Sequence, residues 1–394
     1  MSQGTRALAL TAATLVASAA WPRARAQIPV RPPVYPVAIE NRGALAHFDR
    51  ALASLTEDPT ERVRVIHWGD SNVAADLWTA ITRDTLQARF GNGGSGYLLP
   101  RTHGSWHRVP VRLTTDGGWA VRRRGFTEGF GPNDGLWGIA GVAMEPARPG
   151  ATLTVELPEA GVGRTFELHL LARPRPGRLE VRIDGGPWEE LSTRQSRIGL
   201  LVYRRFFDAG PHRVRIRHAG GVPRILGVTV DRPHGVTYDV MGINGHRASA
   251  INGWNEALLA DQLRRRRPDL VVLSYGGNEA LDPNLGFGVY EQQTRDAIRR
   301  IRHLTPRASC LLVGPLATFP RHAERMARVT DIQRRLATEL GCAFWDSSAT
   351  SGGPGSLRRW ARFPGMVGSD HLHLGRVGYE AVGRGFVAAL LGGR

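Results

Sequence analysis

Two patterns of hydrophobic positions divide the chain. Before about residue 100 and again after residue 232, solid apolar runs alternate with stretches of helical periodicity. The apolar runs are VRVIHWGDS, DLVVLSYGGNE, ASCLLVGP and CAFWDSS, and the helical patterns are ADLWTAITRDTLQARF, NEALLADQLRRRRP, VYEQQTRDAIRRIRHL and MARVTDIQRRLATELG. Apolar strands that alternate with helices indicate a parallel sheet covered on both faces.

The middle of the chain has a different pattern. Short segments that alternate between apolar and polar residues are separated by glycine, proline and aspartate, as in ATLTVELP, TFELHLLAR, RLEVRIDGG and HRVRIRHAG. This spacing is typical of an all-β sandwich or jelly roll. We therefore predict a doubly wound α/β domain formed by residues 27–100 and 233–394. An all-β, jelly-roll-like domain at residues 101–232 interrupts it.

The N-terminus predicts export. Arg6 is followed by an apolar run at residues 7–20, which is shorter than the ~20 residues that a membrane-spanning helix needs. With the small residues at 24–26, this pattern indicates a secretory signal peptide at residues 1–26. A buried N-terminal helix is the alternative. No later segment is long and apolar enough to span a membrane, so we expect a mature periplasmic protein without a membrane span.

The net charge and the two cysteines add little to the prediction of partners and function. The 394 residues carry a net charge of +17, and all 52 basic residues are arginine. This indicates a coding bias, so the charge does not argue for a nucleic-acid partner, and we expect none. We interpret the run of arginines at 264–267 as a solvated helix end. Cys310 and Cys342 either form a disulfide or remain two buried thiols.

Ser71 is the first candidate for chemistry. It lies in Gly-Asp-Ser between an apolar strand and a helix, where a small polar residue either caps the helix or faces the ligand-binding edge of the sheet. A serine nucleophile needs a base. Asp370 and His373 are three residues apart, which puts their side chains on one face if they form a helical turn. Alternatively, Asp370 caps the next helix, or His371 and His373 bind a metal.

Two further positions could stabilise an oxyanion. Acyl transfer needs hydrogen-bond donors for the negative oxygen, usually backbone N–H groups and an amide side chain. Asn278 follows an apolar strand in SYGGNEA, and Gly245 lies in the glycine-rich segment MGINGHR. Glycine and asparagine also simply form turns, so neither residue is diagnostic alone.

The order of these four blocks resembles the SGNH (GDSL-type) hydrolase superfamily. The resemblance implies that Ser71 is the nucleophile and that His373 is its base, oriented by Asp370. The oxyanion donors would be the N–H groups of Ser71 and Gly245 and the amide of Asn278. The resemblance calls for no metal or organic cofactor. Where many members have Gly-x-Asn-Asp, this chain reads GGNE, and Glu279 is not expected to do chemistry.

The motifs HWGDSNVAAD and LQARFGNGGSGY, with the long β-patterned insert, are similar to bacterial peptidoglycan O-acetylesterases. In that family a module similar to carbohydrate-binding modules interrupts the hydrolase domain, and acetyl groups are removed from O-6 of N-acetylmuramic acid. The resemblance implies an exported serine esterase with an acetyl-enzyme intermediate and an acetylated glycan as partner. Trp119, Trp137 and Trp188 of the insert could stack on sugar rings or could be buried.

Three other functions fit the same residues. A periplasmic O-acetyltransferase would use the same site but would pass the acetyl group to a glycan hydroxyl. An esterase could act on another acetylated polymer, such as xylan or alginate. A glycan-binding protein whose hydrolase site has decayed is the third possibility, although all of the expected polar positions are filled.

Overall fold

A computed structural model describes residues 32–98, 107–123, 134–158 and 164–392. It combines a parallel sheet with two antiparallel sheets, which confirms the predicted fold class. Within these ranges no helix has the length and apolarity to cross a membrane. The predicted signal peptide lies outside the described residues.

The helices are α1 Ala46–Glu57, α2 Ser71–Ala74, α3 Trp78–Phe90, α4 Glu256–Arg266, α5 Gly277–Ala280, α6 Phe287–Leu304, α7 Ala323–Glu339, α8 Leu357–Trp360 and α9 Arg376–Leu391. The strands are β1 Arg62–Gly69, β2 Gly94–Leu98, β3 Arg112–Thr115, β4 Trp119–Arg123, β5 Val142–Pro146, β6 Thr152–Leu157, β7 Arg164–Ala172, β8 Gly177–Ile183, β9 Trp188–Ser192, β10 Gly199–Phe207, β11 His212–Gly221, β12 Ile225–Asp231, β13 Gly235–Gly242, β14 Leu270–Ser274, β15 Ser309–Val313 and β16 Ala343–Trp345. Short 3-10 helices cover Arg42–Leu45, Ala248–Gly253, Pro320–His322 and Ser347–Ser351.

The parallel sheet has the order β13-β1-β14-β15-β16, and all of its neighbouring strands run parallel. Helices α1, α3 and α9 contribute to the apolar core on one face, and α4, α6 and α7 contribute to the core on the other. The strand order reverses between β1 and β14. Ligands of doubly wound sheets bind at such a switch point, outside the carboxyl ends of the strands.

Burial explains the two hydrophobic patterns in the sequence. All five residues of β14 are buried, because helices cover both faces of the parallel sheet. In β6, by contrast, buried and half-buried residues alternate, since one face of its sheet packs on a core and the other meets solvent. The period of the pattern therefore reports how many faces of each sheet are covered.

The antiparallel strands form a sandwich. One sheet has the order β10-β7-β12-β5-β4, with β2 paired to β12, and the other has the order β3-β6-β11-β8-β9. Their inner faces share one hydrophobic core. Strand β2 lies before residue 101 but pairs with a strand of the sandwich, and the domain boundaries at residues 100 and 233 stay a prediction.

The end of α4 contacts the sandwich through ion pairs. Arg265 donates to Glu167 of β7 with an N–O distance of 2.6 Å, and Arg266 pairs with Asp231 of β12 and Asp239 of β13. Arg266 is only 5% exposed. The expectation of a solvated helix end is therefore wrong for Arg266. Its sequence neighbourhood looks solvated because the acidic partners lie far away along the chain.

Cys310 of β15 and Cys342, which directly precedes β16, form a disulfide. Their Cα atoms lie 4.7 Å apart, and both residues are fully buried. The sequence had left this pairing open. The bond links neighbouring parts of the parallel sheet, away from the end of β1.

Candidate active site

Asp70 and Ser71 divide two roles at the end of β1. Asp70 is the N-cap of α2, and its carboxylate accepts a hydrogen bond from the N–H of Asn72 at 2.9 Å. Ser71 is the first residue of that helix. Because Asp70 supplies the cap, the hydroxyl of Ser71 is left for another contact.

Two glycines let α2 lie directly over the sheet edge. A Cβ on Gly69 would lie 2.3 Å from a methyl group of Val73 and 2.7 Å from the carbonyl oxygen of Ser274. A Cβ on Gly242 of β13 would lie 2.0 Å from the backbone nitrogen of Ala74. Any larger residue would push the helix away, so these glycines fix where the serine stands.

Ser71, His373 and Asp370 form a continuous hydrogen-bonded chain. The Ser71 Oγ lies 2.7 Å from His373 Nε2, and His373 Nδ1 lies 2.6 Å from Asp370 Oδ2. The sequence predicted that these side chains meet, and the structure brings them together. Both ring nitrogens of His373 have hydrogen-bond partners, so neither is available for the alternative metal pair with His371.

The segment that carries Asp370 and His373 is a loop, so the expected helical turn is wrong. Helix α9 begins only at Arg376, with Gly375 as its N-cap. The other carboxylate oxygen of Asp370 accepts the N–H groups of Leu372 and His373, both at 2.9 Å. Such side-chain bonds to the local backbone compete with helix formation. Asp370 therefore shapes its own loop and does not cap α9.

Electrostatics keeps Asp370 ionised. Partial burial raises the pKa of Asp370, but hydrogen bonds from the backbone and ring of His373 and from Leu372 outweigh it, and the pKa falls to about 2. Asp70 behaves differently, because burial raises the pKa of its carboxyl group. Asp370, whose carboxylate is hydrogen-bonded to His373, is thus ionised at neutral pH.

The two predicted oxyanion residues belong to neighbouring turns. Asn278 lies in α5, just after β14, and its side-chain nitrogen donates to the carbonyl of His246 at 2.9 Å. Gly245 lies in the turn after β13 with a φ of +76°, which favours glycine. Asn278 lines the same cavity as Ser71, whereas Gly245 is not among the lining residues. Across the described ranges, neither the Ser71 N–H nor the Gly245 N–H donates to a protein acceptor.

Sequence reasoning missed the contacts of Glu279. This side chain is buried, and its two carboxylate oxygens accept the N–H groups of Ala248 and Gly276, each at 3.0 Å. Burial raises the pKa of Glu279 to about 7. The available signal was a glutamate directly after Gly-Gly-Asn at the end of a buried strand, where a charged residue needs a partner.

A second contact missed from the sequence joins the serine turn to α9. The hydroxyl of Tyr379 donates to the side-chain oxygen of Asn72 at 2.7 Å. The indole N–H of Trp78 donates to the backbone oxygen of Asn72 at 3.0 Å. Asn72, the residue after Ser71, is therefore fixed by hydrogen bonds from both α3 and α9.

His67 of β1 lies inside the sheet and is not part of the hydrogen-bonded chain of Ser71, His373 and Asp370. Its ring contacts the hydroxyl of Tyr238 at 2.7 Å and that of Ser274 at 2.6 Å. Burial lowers its pKa to about 3, so His67 is neutral at physiological pH. Its role is structural.

A small cavity opens beside the serine. Its volume is about 30 Å³, well below the roughly 300–1,000 Å³ of sites for drug-sized ligands. Polar and apolar side chains share its wall, which is lined by Asp70, Ser71, Asn72, Gly277, Asn278, Leu281, Leu316, Ala317, Thr318, Met326, Leu372 and His373. The dimensions suit a short acyl group. Over the described residues, no group of three or more His, Cys, Asp and Glu side chains could hold a metal ion.

The insert tryptophans fall into two classes. Trp119 and Trp137 are 8% and 2% exposed, so they are core residues and cannot stack on a sugar. Trp188 of β9 is half-buried, and the guanidinium of Arg217 lies 4.4 Å from the centre of its ring. Of the three tryptophans, only Trp188 is exposed enough to stack on a sugar ring.

Residues 210–381 match the profile of the GDSL-like Lipase/Acylhydrolase family. This part of the chain resembles the SGNH (GDSL-type) hydrolases. The match supports a hydrolase of carboxylic esters. The matched range contains Gly245, Asn278, Asp370 and His373, whereas Ser71 precedes it. The hydrogen bond between Ser71 and His373 joins the missing block to the matched one.

A solved structure agrees with this fold. The chain superposes on a structure titled "Peptidoglycan O-acetylesterase in action, 5 min" with a TM-score of 0.75 and 23% identity, over 89% of this chain and 97% of the other. A family two carbohydrate esterase from Cellvibrio japonicus matches 72% of this chain and 98% of its own at 11% identity. TesA matches 40% and 81% at 18% identity. The TM-scores of these two, 0.29 and 0.31, carry no argument. A search of curated proteins found no match.

Proposed function

We propose that this protein is an exported SGNH-type serine esterase that removes O-acetyl groups from a cell-wall glycan, most directly O-acetylated peptidoglycan. The observation that carries the proposal is the chain from Ser71 through His373 to Asp370, which ends in a cavity of about 30 Å³. This combination favours attack on a small acyl group. The other part of the ester, the glycan, would remain outside the cavity.

In the first step Ser71 Oγ attacks the acetyl carbonyl while His373 Nε2 takes its proton. Asp370 holds the opposite ring nitrogen and stabilises the imidazolium that forms. The carbonyl oxygen becomes negative and would accept hydrogen bonds from the Ser71 N–H, the Gly245 N–H and the Asn278 amide. Collapse of the tetrahedral species breaks the ester bond. The sugar oxygen leaves with the proton returned by His373, and an acetyl-enzyme remains.

Water completes the cycle. His373 takes a proton from a water molecule, whose oxygen attacks the acetyl-enzyme. The second tetrahedral species releases acetate, and Ser71 Oγ regains its proton from the imidazolium. If a glycan hydroxyl replaced this water, the same site would transfer the acetyl group instead of hydrolysing it.

Two observations support the choice of glycan. The structure that shares this fold is titled a peptidoglycan O-acetylesterase. The N-terminal pattern of Arg6 and the apolar run at 7–20 supports export to the compartment that contains the wall. We therefore propose a periplasmic location together with this substrate.

The test is acetate release from O-acetylated peptidoglycan by the purified protein and by Ser71→Ala. We expect release by the wild type and a loss of about 10⁴-fold or more in the variant, since a triad serine contributes roughly that much. Ser71-dependent cleavage of a small acetyl ester without release from the wall would overturn the substrate. Acetylated sugar as the product, formed from an acetyl donor and a glycan, would overturn hydrolysis. Activity that survives Ser71→Ala would overturn the mechanism.

A further inference from the structure

One buried carboxylate joins the two turns that carry the oxyanion residues. Glu279 Oε1 accepts the N–H of Ala248, three residues after Gly245, and Oε2 accepts the N–H of Gly276, two residues before Asn278. Further contacts between the turns are the Asn278 amide on the His246 carbonyl and an ion pair between Arg247 and Asp282 with an N–O distance of 2.8 Å. Among these three side chains, Glu279 is the one that binds backbone on both sides.

We propose that Glu279 is a positioning residue for catalysis, which holds the Gly245 turn against the Asn278 turn so that their donors reach one oxyanion. The inference rests on the proposed function, because it is the oxyanion that gives the relative position of the turns its importance. Donors contribute to catalysis only if they are already aimed at the developing charge. A carboxylate that fixes the backbone of both turns supplies this order without touching the substrate.

The chemistry of the side chain supports this role. A carboxylate has two acceptor oxygens, so it can receive one N–H from each turn. Glutamine has the same shape but only one acceptor, and its NH₂ group would face the second N–H donor. Aspartate keeps both acceptors but is one methylene shorter, so it cannot span the same gap without a backbone shift.

The fold keeps this charge although it is unfavourable for stability. Glu279 is faced by Asp70, Arg247, Tyr275 and Tyr290, and burial is the main reason that its pKa rises to about 7. The unfolded chain ionises near the ordinary glutamate value of about 4.3, so stability falls as the pH rises from there to about 7. The ionised form is thus the less stable form of the fold, but it is the form that binds both N–H groups.

The experiment compares wild type, Glu279→Gln, Glu279→Asp and the control Glu167→Gln. Glu167 is another buried carboxylate, but it binds Arg265 and Arg204 outside the site. On a small acetyl ester at pH 8 we expect Glu279→Gln to lower kcat by about 10- to 100-fold, less than the 10²–10³-fold of a lost donor, with KM changed less than threefold. Glu279→Asp should recover part of kcat. Glu167→Gln should reduce stability and leave kcat per folded molecule unchanged.

Two readouts separate positioning from stability alone. The decrease in stability between pH 4.5 and 7 should become smaller in Glu279→Gln. Amide hydrogen exchange of the segment 243–249 should become faster in this variant and not in Glu167→Gln. Unchanged exchange, or a kcat loss that only follows the unfolded fraction, would overturn the proposal. Faster exchange in a protein whose activity survives Ser71→Ala would overturn the proposed function and leave the structural link intact.

Discussion

The edge of the sheet at Ser71 and the junction between α4 and the sandwich both bury carboxylates, but they neutralise them differently. At the junction, Glu167 accepts hydrogen bonds from Arg265 and Arg204 and contacts His169. Burial raises the pKa of Glu167, but these partners hold it well below the ordinary range. At the edge, Glu279 binds backbone N–H groups, and burial raises its pKa to about 7.

We interpret this difference as one between buried acids that stabilise the fold through ion pairs and buried acids that lie in the candidate active site. At the junction each of these buried acids forms an ion pair with an arginine. At the edge, Asp70 and Glu279 are buried with backbone or amide partners, and the pKa of each is raised. Perturbed pKa values of carboxyl groups in a cleft are one indicator of a functional site. Asp70 and Glu279 therefore support the choice of the edge as the candidate active site.

The largest effect that we expect on stability is at the junction. Arg266→Leu removes the partner of both Asp231 and Asp239 and leaves two buried charges unpaired. Removing one partner of a buried pair lowers the free energy of unfolding by about 3–5 kcal/mol. Urea unfolding should show this loss, while kcat per folded molecule stays unchanged. The matched control is Arg358→Leu, which removes an exposed arginine of α8 and should change stability by less than about 0.5 kcal/mol. If Arg266→Leu also lowered kcat per folded molecule strongly, the junction and the sheet edge at Ser71 would not be independent of each other.

The next prediction concerns the sheet edge at Ser71, where we expect a large loss of kcat and only a small loss of stability. Asn278→Ala should lower kcat on an acetyl ester by about 10²–10³-fold, because one oxyanion donor is lost. The free energy of unfolding should change by only about 1 kcal/mol, as for one hydrogen bond. Asn252→Ala is the control, since Asn252 also donates its amide to a backbone oxygen, that of Gln293 at 2.9 Å, outside the cavity. If Asn252→Ala slowed catalysis equally, the assignment of Asn278 would be wrong.

Local sequence patterns were sufficient to predict the parallel sheet and the meeting of Ser71, His373 and Asp370. Strands such as β14 are solid apolar runs, and each polar candidate directly follows such a run or lies in a glycine-rich segment. The carboxyl ends of parallel strands meet at one edge, so Ser71 and Asn278 could be placed together without knowing any distance. His373 and Asp370 could be paired because they are close along the chain.

Some of the contacts that sequence reasoning missed depend on distant partners, and others depend on the local backbone. Arg266 lies in a run of four arginines that looks solvated, and its two acids come from β12 and β13. Glu279 was treated as a neutral replacement because its link to Ala248 crosses 31 positions. The loop of Asp370 and His373 was expected to be helical because the spacing fits a helix. The bonds from Asp370 to its own backbone favour the loop instead.

Met326 has both a core position and a place in the cavity wall, so it gives the sharpest comparison. It lies on α7 with a side chain that is 3% exposed, and it also lines the cavity next to Ser71. Met326→Ala should enlarge the cavity and raise kcat/KM for a butyryl ester relative to an acetyl ester by about 10-fold or more, the scale at which one or two methylenes are discriminated.

The same Met326→Ala substitution should lower the free energy of unfolding by about 2–5 kcal/mol, as core truncations do. Rates must therefore be normalised to the folded protein. Met326→Leu keeps nearly the same volume and should keep the preference for acetyl. If Met326→Ala loses stability but still rejects butyrate, Met326 only packs the core, and the acyl length is set by the other walls of the cavity, such as Leu281 and Leu316. If the preference shifts as expected, one side chain joins the stability of the fold to the size of the acyl group that the serine can attack.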